Sequence, residues 1–341
     1  MKLKLTIAIS FLAIQLFSQD IERLYSELNP SVVTILVKEN KLVNAGPNDV
    51  RQVSAEGLGS GVYVSEEGYI ITASHVVHNA ESIMVLFPNG EKAPAKVKSS
   101  SEAADIAIIK TLYKPNNKIP VAKLGDSDLS KIGEKVMIIG APYGLEHSLS
   151  VGYLSGRHSQ KSLVSGTTKI EYLQTDAAIN HGNSGGPMFN MNGEVIGIVS
   201  HILSESGGFE GLGFASSIDI AKDILENKSN RWFGIDAILL DKKIASSLNV
   251  PSGGGLLIQR VVRNSPGGQA GFKGGDLIAN IDGREVILGG DIIIAINGMT
   301  INSDASLEKV GLSLNNTANG GSVTVTLLRA GKEVKIELLK P

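Results

Sequence analysis

Most of the information about fold and function lies in one stretch of the chain, Thr175-Asp176-Ala177-Ala178-Ile179-Asn180-His181-Gly182-Asn183-Ser184-Gly185-Gly186-Pro187. A serine flanked by glycines, here Ser184, suits a nucleophile on a tight turn, because the missing side chains let a substrate carbonyl approach closely. They also leave backbone N–H groups free to point at a developing oxyanion. Glycine-rich turns that contain serine are common, so the stretch gains its meaning from two segments upstream.

Those two segments supply a histidine and an aspartate. They are Ile71-Thr72-Ala73-Ser74-His75-Val76-Val77 and Ala104-Asp105-Ile106-Ala107-Ile108-Ile109-Lys110. All three polar residues fall at the ends of strand-like runs or in loops, where catalytic groups are usual. The order His…Asp…Ser is that of chymotrypsin-like double barrels, whereas subtilisins and α/β-hydrolases use other orders. We therefore predict that Ser184 is a nucleophile, His75 its base and Asp105 the group that orients the imidazole.

The predicted oxyanion hole is the backbone of Gly182, Asn183 and Ser184, with the N–H groups of Gly182 and Ser184 as its donors. His181 lies only three positions from the nucleophile and is poorly placed to act as its base. The remaining histidines are predicted to be surface or packing residues. These are His78, His147, His158 and His201.

Length and composition are those of a folded chain with more than one domain. The 341 residues indicate two or three domains, and 42% hydrophobic with 19% charged residues is typical of globular proteins. A net charge of −2 gives no reason to expect a nucleic acid partner. Cysteine is absent, which excludes disulfides, thiolate metal sites and a cysteine nucleophile. We predict no metal site and no other cofactor.

The N-terminus has the shape of a secretory signal. Lys2 and Lys4 precede the apolar stretch Leu5 to Phe17, and polar Ser18-Gln19-Asp20 follow. The apolar stretch is short for a membrane span, which takes about 20 apolar residues. Residues 1–18 are therefore predicted to be a cleaved signal peptide, with a short retained anchor as the alternative.

The pattern along the chain predicts strands first and a mixed module later. Many short strands separated by turn residues recur through residue 215, which favours an all-β barrel or sandwich. Residues 39–58 are polar and contain glycine, and we expect a loop there. The stretch Ser217 to Asn227 is helix-like, and the polar run Asn227-Lys228-Ser229-Asn230 marks a predicted domain boundary.

The C-terminal module contains an internal repeat. Gly275 to Val286 aligns without gaps to Gly290 to Ile301, and each copy carries a strand followed by an Asp-Gly or Asn-Gly turn. A helix-like segment, Ser303 to Leu314, follows the second copy. We therefore assign the second copy to the core of the module and predict that the first is an inserted hairpin near residues 276–289.

Taken together, these motifs resemble the HtrA/Deg family of serine proteases. Besides the histidine, aspartate and serine segments, the match includes Leu124-Gly125-Asp126-Ser127 and Gly140-Ala141-Pro142-Tyr143-Gly144. The resemblance implies a mostly β chain in which a chymotrypsin-like double β-barrel, residues 20–228, precedes an α+β PDZ domain, residues 231–341. It also implies that the substrate-pocket loop falls at Ile202 to Gly213. His181 departs from the family pattern, which usually has proline at that position.

The resemblance further implies a serine endopeptidase that acts on unfolded or misfolded exported polypeptides in protein quality control under stress. The expected location is the bacterial periplasm or cell envelope, and the expected assembly is a homotrimer or larger. Trp232-Phe233-Gly234-Ile235 resembles the PDZ loop that binds the carboxylate of C-terminal peptides, with a domain-entry strand as the alternative. The competing function is a non-proteolytic PDZ chaperone or adaptor on an inactive protease fold.

Overall fold

A computed structural model describes residues 21–46, 49–141, 148–161, 169–204, 207–227, 232–281, 283–318 and 320–339. The predicted signal peptide, His147 and the polar boundary at residues 228–230 lie outside the described residues. None of the described helices combines the length and the apolar character that crossing a bilayer requires.

The first unit is a closed six-stranded barrel entered from helix α1 (residues 21–28) and a 3-10 turn, Asn29–Ser31. Its elements are β1 (Val32–Gly46), β2 (Asp49–Tyr63), β3 (Tyr69–Thr72), helix α2 (Ser74–Val77), β4 (Ser82–Leu86), β5 (Lys92–Ser101) and β6 (Ile106–Thr111). The strands pair in the order β1-β2-β3-β6-β5-β4, and β1 pairs with β4 to close the ring. Fully buried isoleucines fill the interior, among them Ile35, Ile70 and Ile109.

The predicted loop over residues 39–58 is wrong, because β1 and β2 continue as a long hairpin. Their pairing runs on from Lys38 opposite Glu56 to Gly46 opposite Asp49. Most side chains of this extension are exposed, so the apolar alternation that marks a half-buried strand is missing from its sequence. Backbone pairing and a few side-chain contacts, such as the ion pair of Lys38 with Glu56, carry the hairpin beyond the barrel.

The second unit is also a closed barrel. Its elements are β7 (Lys123–Leu124), a 3-10 turn (Ser127–Leu129), β8 (Lys135–Gly140), β9 (Ser148–Lys161), β10 (Lys169–Thr175), β11 (Pro187–Asn190), β12 (Glu194–Ile202), β13 (Gly213–Ser217) and helix α3 (Ile218–Asn227). Six strands pair in the order β11-β8-β9-β10-β13-β12, and β11 pairs with β12 to close the ring. The predicted chymotrypsin-like double barrel is therefore confirmed.

The third unit is a mixed α+β sheet. Its elements are β14 (Ile235–Leu239), α4 (Lys242–Ser247), β15 (Leu256–Val261), α5 (Pro266–Ala270), β16 (Leu277–Ile281), β17 (Arg284–Leu288), β18 (Ile292–Ile296), β19 (Met299–Thr300), α6 (Asp304–Asn316), β20 (Ser322–Arg329) and β21 (Lys332–Leu339). The main sheet has the order β14-β15-β18-β20-β21, so β14 is an edge strand. Strands β16 and β17 form a separate hairpin.

The third unit docks on the first barrel immediately after α2. Trp232 is buried there together with Val262, within the apolar cluster of the first barrel. Its indole N–H donates to the carbonyl of His78 at 3.0 Å. The backbone N–H of Arg263 donates to the Glu81 carboxylate at 3.2 Å. These two hydrogen bonds tie the third unit to the segment that follows α2, the helix that carries His75 and is called the histidine helix below.

Candidate active site

Asp105 holds His75 at two points, the ring and the main chain, and both residues adjoin strands of the first barrel. His75 lies in α2 directly after β3, and Asp105 directly precedes β6, which pairs with β3. Nδ1 of His75 lies 3.0 Å from Oδ1 and 2.9 Å from Oδ2 of Asp105. The backbone N–H of His75 also donates to Oδ1 at 3.0 Å. The carboxylate therefore holds both the main chain and the ring of the histidine.

The backbone and ionisation state of Asp105 both fit this role. Its φ of +49° is a left-handed conformation, which is uncommon for a residue other than glycine and is found at functional sites. Burial acts to raise the pKa of Asp105, but hydrogen bonds from His75 and Ser200 and the charge of His75 outweigh it. The net result is a pKa below the usual value, so Asp105 is an anion near neutral pH.

Behind Asp105 lie Ser200 and His201, which no local feature of the sequence connects with the site. The hydroxyl of Ser200, in β12, donates to Oδ2 of Asp105. Because that donation uses the only hydroxyl proton, Ser200 must accept its contact with Nδ1 of His201, at 2.9 Å, from an Nδ1–H group. The His201 ring stacks on Phe214 with centroids 5.0 Å apart. Burial lowers the pKa of His201, and the charge of nearby Asp105 offsets this only in part.

Ser184 lies on the tight turn that its glycines predict. Gly185 has a φ of +82°, and a Cβ added there would lie 2.1 Å from Oγ1 of Thr72. The carbonyl of Ser184 accepts from the N–H of Ser60 at 2.8 Å, which fixes the turn against β2. The Ser184 hydroxyl donates to the carbonyl of Ser200 at 3.5 Å. Within the described residues it makes no hydrogen bond to His75.

The backbone hydrogen bonds before Ser184 distinguish the two predicted oxyanion donors from Asn183, the residue between them. The N–H of Asn183 donates to the carbonyl of Asn180 at 3.0 Å, across a turn in which Gly182 has a φ of +102°. Asn183 is therefore not available as a donor. In the described part of the chain, the N–H groups of Gly182 and Ser184 have no protein acceptor, as oxyanion donors require.

His75 and Ser184 share the walls of one cavity of about 340 Å³. Gly182 and His181 complete the wall on the serine side. The structure thus brings His75, Asp105 and Ser184 to one place at the junction of the barrels. The arrangement offers a hydroxyl, an imidazole oriented by a carboxylate, and two free N–H donors around an open space.

The four residues of the predicted carboxylate loop divide into two parts. Trp232 is buried against the first barrel, three residues before β14 begins. Phe233 to Ile235 lead into the edge strand β14. Gly234 has a φ of +68°, and a Cβ there would lie 2.1 Å from Cβ of Ser265. Ile235 shares an apolar cluster with Val310 of α6.

One group of carboxylates has the spacing of a metal site. Asp126, Asp128 and Asp219 each offer an oxygen within 4.8 Å of the others. Lys222 pairs with Asp219 at 2.7 Å, and Arg157 pairs with Asp128 at 3.3 Å. These cations already balance two of the three charges, so the group is accounted for as an ion-pair network.

Comparison with known proteins agrees with this geometry. Residues 59–198 match the trypsin-like peptidase domain. A probable periplasmic serine endoprotease, DegP-like, from Pseudomonas putida (strain GB-1) is 37% identical over 268 residues, which are 77% of this chain and 55% of that protein. A protein of the same name from Hahella chejuensis is 36% identical over 262 residues, 75% of this chain and 55% of that protein. The chain thus spans about half the length of these relatives.

Solved structures with a similar fold include the HtrA-type protease AlgW. Its complex with a decapeptide has a TM-score of 0.51 and 27% identity and covers 93% of this chain and 96% of the other. Its complex with a tripeptide has a TM-score of 0.52 at the same identity and covers 93% and 95%. The double barrel, the geometry at Ser184 and these similarities lead to one conclusion: the chain belongs to the HtrA/Deg family of trypsin-like serine proteases.

Proposed function

We propose that this chain is a serine endopeptidase that cleaves unfolded or misfolded exported polypeptides. The observation that carries the proposal is that His75, held by Asp105, lines one cavity together with Ser184. A lone histidine beside a serine would be free to rotate. Here the carboxylate holds Nδ1, so that the other ring nitrogen, Nε2, is the one left to receive a proton.

The reaction would proceed through an acyl-enzyme. Ser184 attacks the substrate carbonyl while His75 removes its proton, and Asp105 stabilises the imidazolium that forms. The N–H groups of Gly182 and Ser184 stabilise the oxyanion of the tetrahedral intermediate. His75 then protonates the leaving amine, and water hydrolyses the ester. Before attack, the Ser184 hydroxyl must turn from the Ser200 carbonyl towards His75. The hydrogen bond between a nucleophile and its base often forms with good geometry only when substrate is bound.

Degradation of casein, an unfolded protein, tests the proposal. Ser184→Ala should abolish it, by up to about a million-fold, as in a serine protease of unrelated fold that uses the same three residue types. His75→Ala should be comparably inactive, and His181→Ala should retain far more activity than either. Ser155→Ala, an exposed serine on β9, is the matched control. Intact casein after long incubation with the unmodified chain would instead favour the non-proteolytic chaperone or adaptor.

We also propose that the third unit is a PDZ domain that binds C-terminal peptides and regulates the protease. An edge strand, β14, and an apolar cluster shared with α6 support it, because a peptide adds to such an edge as a further strand. Titration of a labelled hydrophobic C-terminal peptide, compared with the same peptide amidated at its C-terminus, tests it. Equal affinity for both would exclude carboxylate recognition.

Export and assembly complete the proposal. The relatives are named periplasmic, which supports export, removal of residues 1–18 and a location in the cell envelope. The intact mass of protein isolated from its native envelope tests this, because a retained Met1 in the membrane fraction would mean an anchor. A homotrimer or larger is the proposed assembly, and light scattering coupled to size exclusion measures it.

A further inference from the structure

The cavity beside Ser184 lies on the side from which a leaving group departs. His75 must protonate the leaving amine, so the residues that follow the scissile bond lie against His75. The cavity walls are His75 and Ser184 on one side and the first-barrel strands β1 and β2 on the other. Among the described residues, no side chain of β12 lines it, although the Ser200 carbonyl of that strand receives the Ser184 hydroxyl.

A carboxylate stands in the far wall of this cavity. Glu39 of β1 lines it, and the side chain of Glu39 is only 17% exposed. The glycine at position 57 of β2 leaves the cavity open in front of the Glu39 carboxylate. A Cβ at Gly57 would lie 2.7 Å from the side chain of Val37 and 3.8 Å from Oε1 of Glu39. The ion pair of Glu39 is a long one, 3.6 Å to Nζ of Lys41, which is itself 46% exposed.

The remaining walls suit the aliphatic part of a long side chain. Val37, Leu58 and Val76 supply apolar surface between His75 and the carboxylate. Lysine and arginine side chains lay their methylene groups along such surface while the charged end reaches a partner. A carboxylate withdrawn from water also attracts a cation more strongly than one on an open surface.

We propose that Glu39 is a specificity-determining residue that selects substrates with a lysine or arginine shortly after the cleavage site. This inference rests on the proposed proteolytic function and names a substrate class within it. The feature that carries it is the juxtaposition of a largely buried carboxylate, an apolar-walled cavity and the leaving-group side of His75.

The test begins with casein digested by the full chain, with Ser184→Ala as the blank, and cleavage sites mapped by mass spectrometry. The sequence around the best cleavage site is then synthesised as three quenched peptides. They differ only at the second residue after the cut, which is lysine, norleucine or glutamate. The assay is run at pH 8, where an ordinary imidazole is neutral. The variants are Glu39→Gln and, as matched control, Glu56→Gln on the same hairpin, where the carboxylate is 79% exposed.

The unmodified chain should cleave the lysine peptide with a kcat/KM about five-fold above that of the norleucine peptide, the effect of one partly exposed ion pair. Glu39→Gln should bring that ratio close to one, whereas Glu56→Gln should keep it. Raising the ionic strength to about 1 M should shrink it in the unmodified chain.

Two failures are distinguishable. A chain that cleaves no casein refutes the proposed function, and this inference with it. A chain that cleaves casein but shows no preference for lysine, or keeps the preference in Glu39→Gln, refutes this inference alone.

Discussion

Replacing Asp105 by asparagine should stop His75 from acting as a base, because it moves the proton of the neutral imidazole from Nδ1 to Nε2. Oδ1 of Asp105 accepts from the backbone N–H of His75, whereas Oδ2 accepts from the hydroxyl of Ser200. An amide nitrogen at the Oδ1 position would face the backbone N–H of His75, which can only donate, whereas at the Oδ2 position it would face the Ser200 hydroxyl, which can also accept. It should therefore occupy the Oδ2 position, with one hydrogen towards Ser200 and the other towards Nδ1 of His75, 2.9 Å away. Nδ1 then becomes an acceptor, and the ring proton moves to Nε2.

A proton on Nε2 leaves His75 unable to accept the proton of Ser184. The analogous substitution in a well-studied protease of this chain order lowers kcat by about 10⁴-fold, and we expect the same here, about 5.4 kcal/mol of barrier. The assay is hydrolysis of a quenched peptide, with circular dichroism to show that the fold is intact. Asp128→Asn, a mostly exposed carboxylate, is the control. A loss below about ten-fold would mean that Nδ1 keeps its proton by donating to the remaining oxygen.

Two further predictions concern stability and peptide binding. Ser200→Ala should lower the free energy of unfolding at pH 7 by about 1.5–3 kcal/mol, the worth of a hydrogen bond to a charge. The pKa of Asp105 is depressed in the folded state, so its contribution is present above about pH 4 and is lost as pH falls through the folded pKa. Urea unfolding at pH 7 and at a series of pH values below about 4 should show the deficit shrinking as the pH falls, and a deficit that is constant over the whole series would refute this. Gly234→Ala should abolish binding of a hydrophobic C-terminal peptide, because its Cβ would meet Ser265. Gly271→Ala, also at positive φ but in open space, should bind normally in the same fluorescence titration.

Local sequence was enough to predict the barrels and the three residues of the candidate triad. Glycines around Ser184 reflect positive φ angles and close approaches that only glycine permits, and these leave a readable mark. His75 and Asp105 stand beside paired, buried strands whose apolar patterns are equally readable. In each case the signal lies within a few residues of the feature it predicts.

Contacts that depend on the closed barrels left no such signal. Ser200 meets Asp105 across 95 positions of sequence, and nothing near either residue indicates the partner. Glu39 lines the cavity from the part of β1 that continues into the exposed hairpin, where the sequence lacks the alternation that marks a half-buried strand. Nor does the sequence around Trp232 indicate its burial against the first barrel, which is a tertiary contact.

That burial gives the chain an optical reporter of its own. Trp232 is the only tryptophan among the 341 residues, so the indole fluorescence of the protein originates at the junction between the third unit and the first barrel. An indole in apolar surroundings emits at shorter wavelength than one in water. Separation of the third unit from the histidine helix would therefore appear as a red shift of the native emission, without any label. Peptide binding, substrate binding and domain movement can then be followed at one position in the unaltered chain.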